Sequence, residues 1–437
     1  MSVRFAMMLI GVGLVAGCSG DVDDDVRVNP DERHEALDAL EAAAPSTVVL
    51  DGAQLVATRQ ALANGDGTPA QRAALNALLH RADGALTAGP WAVTDKDEVP
   101  PSGDKHDYLS QAPYWWASKT PTSDNPKGCP YVQRDGERNP EADAITDHYE
   151  RMVAWDAIVD LTLAWFYTGN ANYATRAVLD VRTWFLDAAT RMNPSLPYAQ
   201  LIPCRTDVRG TGIIDTSQNI THVVDALAIL DSGAPGWTAT DRAGIKDWFT
   251  KFLKWMQTSP QAKAELATKN NHGSFIDMQN AAIALYVGQT SNAKSIVENA
   301  KSKRIAAQIK SDGSQPEELS RTMSWHYANF NLTALGRLAE IGTHVGVDLW
   351  HYKASNGANL LKAVDFLIPA AEKGASAWPY QQIGGFQQFI ALDILHAAAE
   401  QGNDTKAKAA LSNVPSPPGG DLWPIRPACT PLDPPSR

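Results

Sequence analysis

Apolar residues recur at helical spacing along most of this 437-residue chain, and that periodicity narrows the fold more than any other feature. Ala70–Leu86, Ala142–Tyr167, Ala171–Ala189, Ser217–Leu230, Thr240–Gln257, Phe275–Val287, Asn292–Ile309, Met323–Val345, Asn356–Glu372 and Phe386–Gln401 each carry an apolar stripe near the 3.6-residue period. Trp155, Ile158, Val159, Thr162, Leu163 and Phe166, for example, share one helix face. Turn-forming breaks such as Tyr167-Thr168-Gly169-Asn170 and Gly288-Gln289-Thr290-Ser291 are too short for anything but antiparallel hairpins. Successive αα-hairpins bury their apolar faces on one another, as an open solenoid or a closed ring. No fixed-period repeat is present, which favours the ring. The expected fold is all-α: an α/α toroid, or incomplete α/α barrel.

Two segments escape the pattern. Trp91–Glu141 and the shorter Leu196–Asp215 are rich in Pro, Gly and aromatic residues. Loops of that length inside a compact domain usually serve function, so they are expected to overhang a cleft. Val414–Arg437 is Pro-rich and reads as an extended C-terminal tail.

The first residues address the compartment. Arg4 precedes the apolar run Phe5–Ala16, and Leu14-Val15-Ala16-Gly17-Cys18 follows the pattern of a lipoprotein signal with Cys18 acylated. Residues 1–17 are therefore expected to be a signal peptide and 18–50 a flexible acidic tether. Ser19 after the Cys carries no inner-membrane retention signal, which points to an outer-membrane lipoprotein, periplasmic or at the cell surface. The toroid domain then occupies 51–413. Apart from Cys18, the cysteines are Cys129, Cys204 and Cys429, an odd number in an oxidising compartment. Their spacing leaves the pairing open and is not that of a zinc site.

A net charge of -11 excludes the basic footprint of a nucleic-acid binder. An acidic protein binds an acidic polymer only where local Arg and Lys reverse the field. Two constellations can do so. Lys269-Asn270-Asn271-His272-Gly273-Ser274-Phe275 stands just before a helix, where free N–H groups attract anions. As plain structure, the same residues would be an ordinary cap. The second is Glu317-Glu318-Leu319-Ser320-Arg321-Thr322-Met323-Ser324-Trp325-His326-Tyr327. Tyr327 begins a buried stripe, and Arg321 lies about 240° from it on an ideal helix. As plain structure, Tyr327 would be core and Arg321 would pair with Glu317 or Glu318. His222, alone on an apolar helix, reads as a core residue.

Four ordered pieces carry a resemblance: Asp107-Tyr108-Leu109-Ser110…Pro113-Tyr114-Trp115-Trp116, Arg134-Asp135-Gly136…Asn139-Pro140-Glu141, Asn270-Asn271-His272-Gly273-Ser274-Phe275, and Arg321-Thr322…His326-Tyr327…Phe330-Asn331-Leu332. Over about Asp107 to Leu335 the chain resembles the alginate-lyase domain superfamily, and within it polysaccharide lyase family 38 most of all. The resemblance implies an α/α-toroid lyase that splits a 1,4-linked uronate polymer, polymannuronate (alginate) or glucuronan, by β-elimination. No cofactor is expected, and the spacing of His272, Asp277 and His326 does not support a metal site. The resemblance implies Asn271 and Asn219 as neutralisers of the uronate carboxylate, Tyr327 and His272 as proton carriers, and Arg321 as the group tuning Tyr327. Tyr108, Tyr114, Trp115, Trp116, Arg134, Asn270, His326 and Trp378 are the expected substrate contacts. One departure concerns substrate. The more distantly similar polysaccharide lyase family 5 has Tyr-His-Asn-Tyr where this chain has Tyr327-Ala328-Asn329-Phe330, and the Arg-to-Tyr spacing here is one shorter.

Two other readings compete. A glycoside hydrolase on the same scaffold needs two catalytic carboxylates, for which Asp277, Glu317 and Glu318 are available. A non-catalytic glycan-binding lipoprotein needs the aromatic loop but not Asn271, His272 and Tyr327 together.

Overall fold

The computed structural model describes residues 44–207 and 209–429. Cys18 and the signal segment lie outside these residues, as do the tether up to 43 and the chain beyond Cys429.

Helices dominate, in two layers. The inner layer is α3 (Asp147–Thr168), α5 (Ile220–Leu230), α8 (Asn271–Tyr286) and α11 (Ser324–Val345), in which α3 packs on α5, α5 on α8, and α8 on α11. Every residue of α5 is buried, as are nearly all of α8 and α11. These helices have almost no solvent face, and their buried polar side chains, such as Gln279 and Asn331, bond neighbouring elements in place of water. The outer layer includes α1 (Gly52–Ala63), α2 (Pro69–Thr87), α4 (Ala171–Val181), α6 (Ala239–Thr258), α9 (Thr290–Ala300) and α12 (Leu360–Lys373). The short α7 (Pro260–Leu266) and α10 (Pro316–Leu319) lead into inner helices, and α13 (Leu392–Glu400) and α14 (Thr405–Ala410) close the succession. This is the α/α toroid that the periodicity predicted.

Aromatic rings lock the layers together. Trp155 of α3 lies edge-on to Trp184 at 6.3 Å and stacks on Phe185 at 5.8 Å, and Phe185 meets Trp248 of α6 at 4.8 Å. Trp155, Trp184 and Phe185 are fully buried, and each such side chain stabilises the fold by about 2–3 kcal/mol.

The two irregular segments hold the only strands among the described residues. β1 (Leu109–Gln111) pairs in parallel with β4 (Tyr198–Leu201), and β2 (Trp115–Ala117) pairs antiparallel with β3 (Tyr131–Gln133). A disulfide between Cys129 and Cys204 ties the two segments together, and Cys429 is a buried free thiol. That settles the pairing that spacing left open.

Both ends of the expected domain shift. Val48, Val49 and Leu50 are buried, and their N–H groups donate to the buried carboxylate of Asp225, so this stretch belongs to the folded domain and not to the expected tether. As far as Cys429, the Pro-rich C-terminal segment is neither extended nor a free tail. Leu422, Trp423, Ile425, Ala428 and Cys429 are buried against the helices, and Tyr167 donates to the Ile425 carbonyl. Apolar residues spaced among the prolines supply that docking, a signal that composition alone hides.

Candidate active site

A cleft of about 440 Å³ opens where the four inner helices begin. Its lining includes His148 from the first turn of α3, Gln218 just before α5, Asn270 to His272 at the start of α8, and His326 and Tyr327 from the first turn of α11. Helix N-termini carry positive partial charge, so four of them aimed at one space form an anion-attracting field inside an acidic protein. The two strand-bearing segments wall the cleft with Tyr114, Trp115, Gln133, Arg138, Gln200 and Arg209.

Tyr327 is 6% exposed. Its hydroxyl donates to that of Tyr114 at 2.9 Å, and the Arg321 guanidinium lies over its ring at 3.7 Å. Burial, reinforced by Tyr114, pushes the Tyr327 phenol well up, against the pull of Arg321. Arg321 does not pair with Glu317 or Glu318. It makes a forked pair with Asp135 from the first loop, with Nε at 2.9 Å and Nη2 at 2.5 Å from the carboxylate. The Thr322 N–H donates to the same carboxylate. Burial opposes charge on Asp135, yet Arg321 and Thr322 outweigh it and hold the carboxyl below its usual range. Gly136 makes this crossing possible. Its φ is +75°, and a Cβ there would stand 2.5 Å from the Thr322 hydroxyl.

Helix α8 starts four residues earlier than its apolar pattern suggests, so Asn271 and His272 lie in its first turn. The reason is an external cap. Glu318 accepts the Asn271 backbone N–H and its side-chain Nδ2, each at 2.7 Å, while Asn270 makes no side-chain cap bond. Burial raises Glu318 to about 7, against the bonds from Asn271 and the charges of Arg321 and His272. His272 meets Glu265 at 2.5 Å. Burial works against the imidazolium, but Glu265 prevails and raises His272 above its ordinary value. His326 goes the other way, down to about 4, through burial and the nearby Arg321.

Of the predicted contacts, the cleft lining gathers Tyr114, Trp115, Asn270, Asn271, His272, Arg321, His326 and Tyr327. The others lie elsewhere. Tyr108 is fully buried and donates to Asp215, so it has no free face for a sugar. Trp116 donates to the Glu137 carbonyl and carries Arg134 over its ring at 4.9 Å, outside the lining. Trp378 sits against Trp325 and donates to the Ser324 hydroxyl. Asn219 accepts from Arg151 and donates to Asp156, and it is the neighbouring Gln218 that lines the cleft. Asp277 anchors Arg304 at 2.7 Å and is engaged in that pair.

Sequence reasoning missed His148 and the carboxylate beside it. Asp215 is buried, but His148, Ser110 and Gln200 overcome that burial and lower it to about 2. It also missed Arg209, whose guanidinium lies 5.4 Å from the Trp115 ring centroid and whose Nε has no partner. Asp135 stood inside a quoted motif without a role; its partner lies 186 residues away.

Comparisons with known proteins place this geometry. The family profile described as alginate lyase matches residues 92–378. A crystal structure of an alginate lyase from Bacteroides ovatus is 35% identical, with a TM-score of 0.81, covering 88% of this chain and 100% of that one. A His-to-Ala variant of alginate lyase A1-III complexed with a tetrasaccharide is 17% identical, with a TM-score of 0.55, covering 87% of this chain and 97% of its own. That second likeness speaks for the fold alone. A search of curated proteins finds no match.

Proposed function

The chain belongs to the alginate lyase family and is a polysaccharide lyase, and from that premise we propose that it cleaves a 1,4-linked uronate polymer by β-elimination, with polymannuronate as the substrate and glucuronan as the second candidate. The observation that carries the proposal is the meeting of Arg321-backed Tyr327 with Asn271-His272 in one cleft ringed by helix N-termini.

The step breaks the C5–H and C4–O4 bonds and forms a C4=C5 double bond. Charge builds on the uronate carboxylate as C5 loses its proton. His272, biased toward its charged form by Glu265, and Asn271 take up that charge as hydrogen-bond donors. Tyr327 accepts the C5 proton as phenolate and returns it to O4 as phenol. In mannuronate and glucuronate both atoms lie on one side of the ring, so one Tyr serves both ends. A free phenol has a pKa of about 10. Burial raises that cost, and the guanidinium over the ring offsets part of it. Trp115 and Arg209 supply a stacking face and a cation for a neighbouring sugar. We further propose that the mature protein is an outer-membrane lipoprotein anchored through Cys18, so that Cys18→Ser releases it from the membrane fraction.

The products absorb in the near ultraviolet, because the new double bond is conjugated with the carboxylate. Incubation with polymannuronate, glucuronan, polyguluronate and hyaluronan is expected to raise that band with the first two. New reducing ends without the band would refute elimination.

A further inference from the structure

Glu318 is a buried carboxylate that the elimination scheme leaves without a task. It is 1% exposed, and both of its oxygens hold Asn271. In that arrangement the Asn271 NH2 is held by a carboxylate and not offered to an anion. Nδ2 points to Glu318, while Oδ1 is buried with no partner. A uronate carboxylate offers only acceptors, so an amide oxygen turned toward it repels.

One proton on Glu318 reverses the geometry. A neutral carboxyl keeps one oxygen to accept the Asn271 backbone N–H, and its O–H becomes a donor. The acceptor in reach is Oδ1 of Asn271. A half-turn of the amide satisfies Oδ1 and releases Nδ2 from Glu318. We propose that Glu318 is a positioning residue: protonated, it turns the Asn271 amide with its NH2 toward the uronate carboxylate, and ionised, it turns that NH2 away.

The proposal rests on Asn271 neutralising the substrate. The charged and titratable groups facing Glu318 are Arg321 from its own segment and His272 from α8, with Asp135 behind the first and Glu265 behind the second. Burial outweighs both cations and raises Glu318 to about 7, so both forms are populated near neutrality. A bound uronate, being negative, draws the proton on further.

Glu318→Gln mimics the protonated form, with one acceptor and one donor in the same places. The informative quantity is the ratio of its kcat/KM to that of the natural protein on polymannuronate oligosaccharides across pH, because other titrating groups cancel. The ratio is expected to rise with a midpoint of about 7 and to exceed roughly tenfold at pH 9. A ratio flat with pH, or a uniform loss of about a hundredfold in a folded variant, overturns the proposal. A second readout needs no turnover. In protein labelled with 15N-asparagine, the side-chain amide signal of Asn271, identified by its loss in Asn271→Ala, is expected to titrate near neutrality and to stay still in Glu318→Gln. A signal that does not titrate in the natural protein overturns the proposal even if Glu318→Gln fails to fold. A titrating amide in a protein inactive on every uronate supports the reorientation and refutes the elimination reading separately.

Discussion

The mouth of the helical ring and its opposite interior use the same residues to opposite ends. At the mouth, Arg321, His272 and Glu318 are paired with Asp135, Glu265 and Asn271 around open space. Deeper in, Arg337 of α11 is fully buried. It donates to the Cys429 carbonyl at 2.5 Å, to the Gln218 carbonyl at 3.0 Å and to the Thr221 hydroxyl at 2.5 Å, and it lies 3.0 Å from His222 Nε2. Burial raises Glu340 beside it to about 8, against the charge of Arg337. The docked C-terminal segment packs on this cluster through the Cys429 carbonyl. Buried charge is therefore no mark of a site by itself. What separates the two regions is their surroundings: open space beside the paired groups at the mouth, and in the interior the Gln218 and Cys429 carbonyls with Thr221 and His222 packed around Arg337.

Substitutions can break this comparison. Tyr327→Phe keeps the ring and loses the proton carrier, so kcat is expected to fall by about 10⁴-fold with the thermal midpoint unmoved. An active Tyr327→Phe enzyme would sink the assignment. Arg337→Met should do the reverse. Removing one partner from a buried polar cluster costs about 3–5 kcal/mol, visible as a lower urea midpoint, while kcat per folded molecule changes by less than about threefold. A large kcat loss in folded protein would erase the distinction between mouth and interior. Glu318→Gln sharpens it. The folded-state pKa of Glu318 is raised from 4.5 to about 7, so its contribution to stability is fully present below about pH 4.5 and is lost as pH rises through 7. Above pH 7 the Gln variant is expected to be more stable by about 3 kcal/mol, and at pH 4 the two should match. Denaturant titrations at both pH values decide it.

The ring was legible because helix periodicity is local: α2, α6 and α11 begin and end near where their apolar stripes do. Short helices such as α7 and α10 were not, since too few turns exist to show a period. The start of α8 was misplaced for a different reason. Its cap comes from Glu318, 47 residues away, and no local pattern encodes that. The site divided in the same way. Asn271-His272 and Arg321…Tyr327 stood out through residue type and order. The groups that tune them, Asp135, Glu265 and Glu318, are ordinary acids in sequence and gain meaning only by contact. Aromatic residues misled where they were read as sugar platforms: Tyr108 and Trp378 look like Tyr114 and Trp115 until burial tells them apart.

The starts of α3, α5, α8 and α11 meet at the mouth, and the peptide dipoles they carry do not depend on side-chain identity. Attraction for a polyanion is thus inherited with the ring. Discrimination among polyanions is left to the two walls that the Cys129–Cys204 bond joins. A change in those walls is therefore expected to alter which polymer is held before it alters whether an anion is attracted.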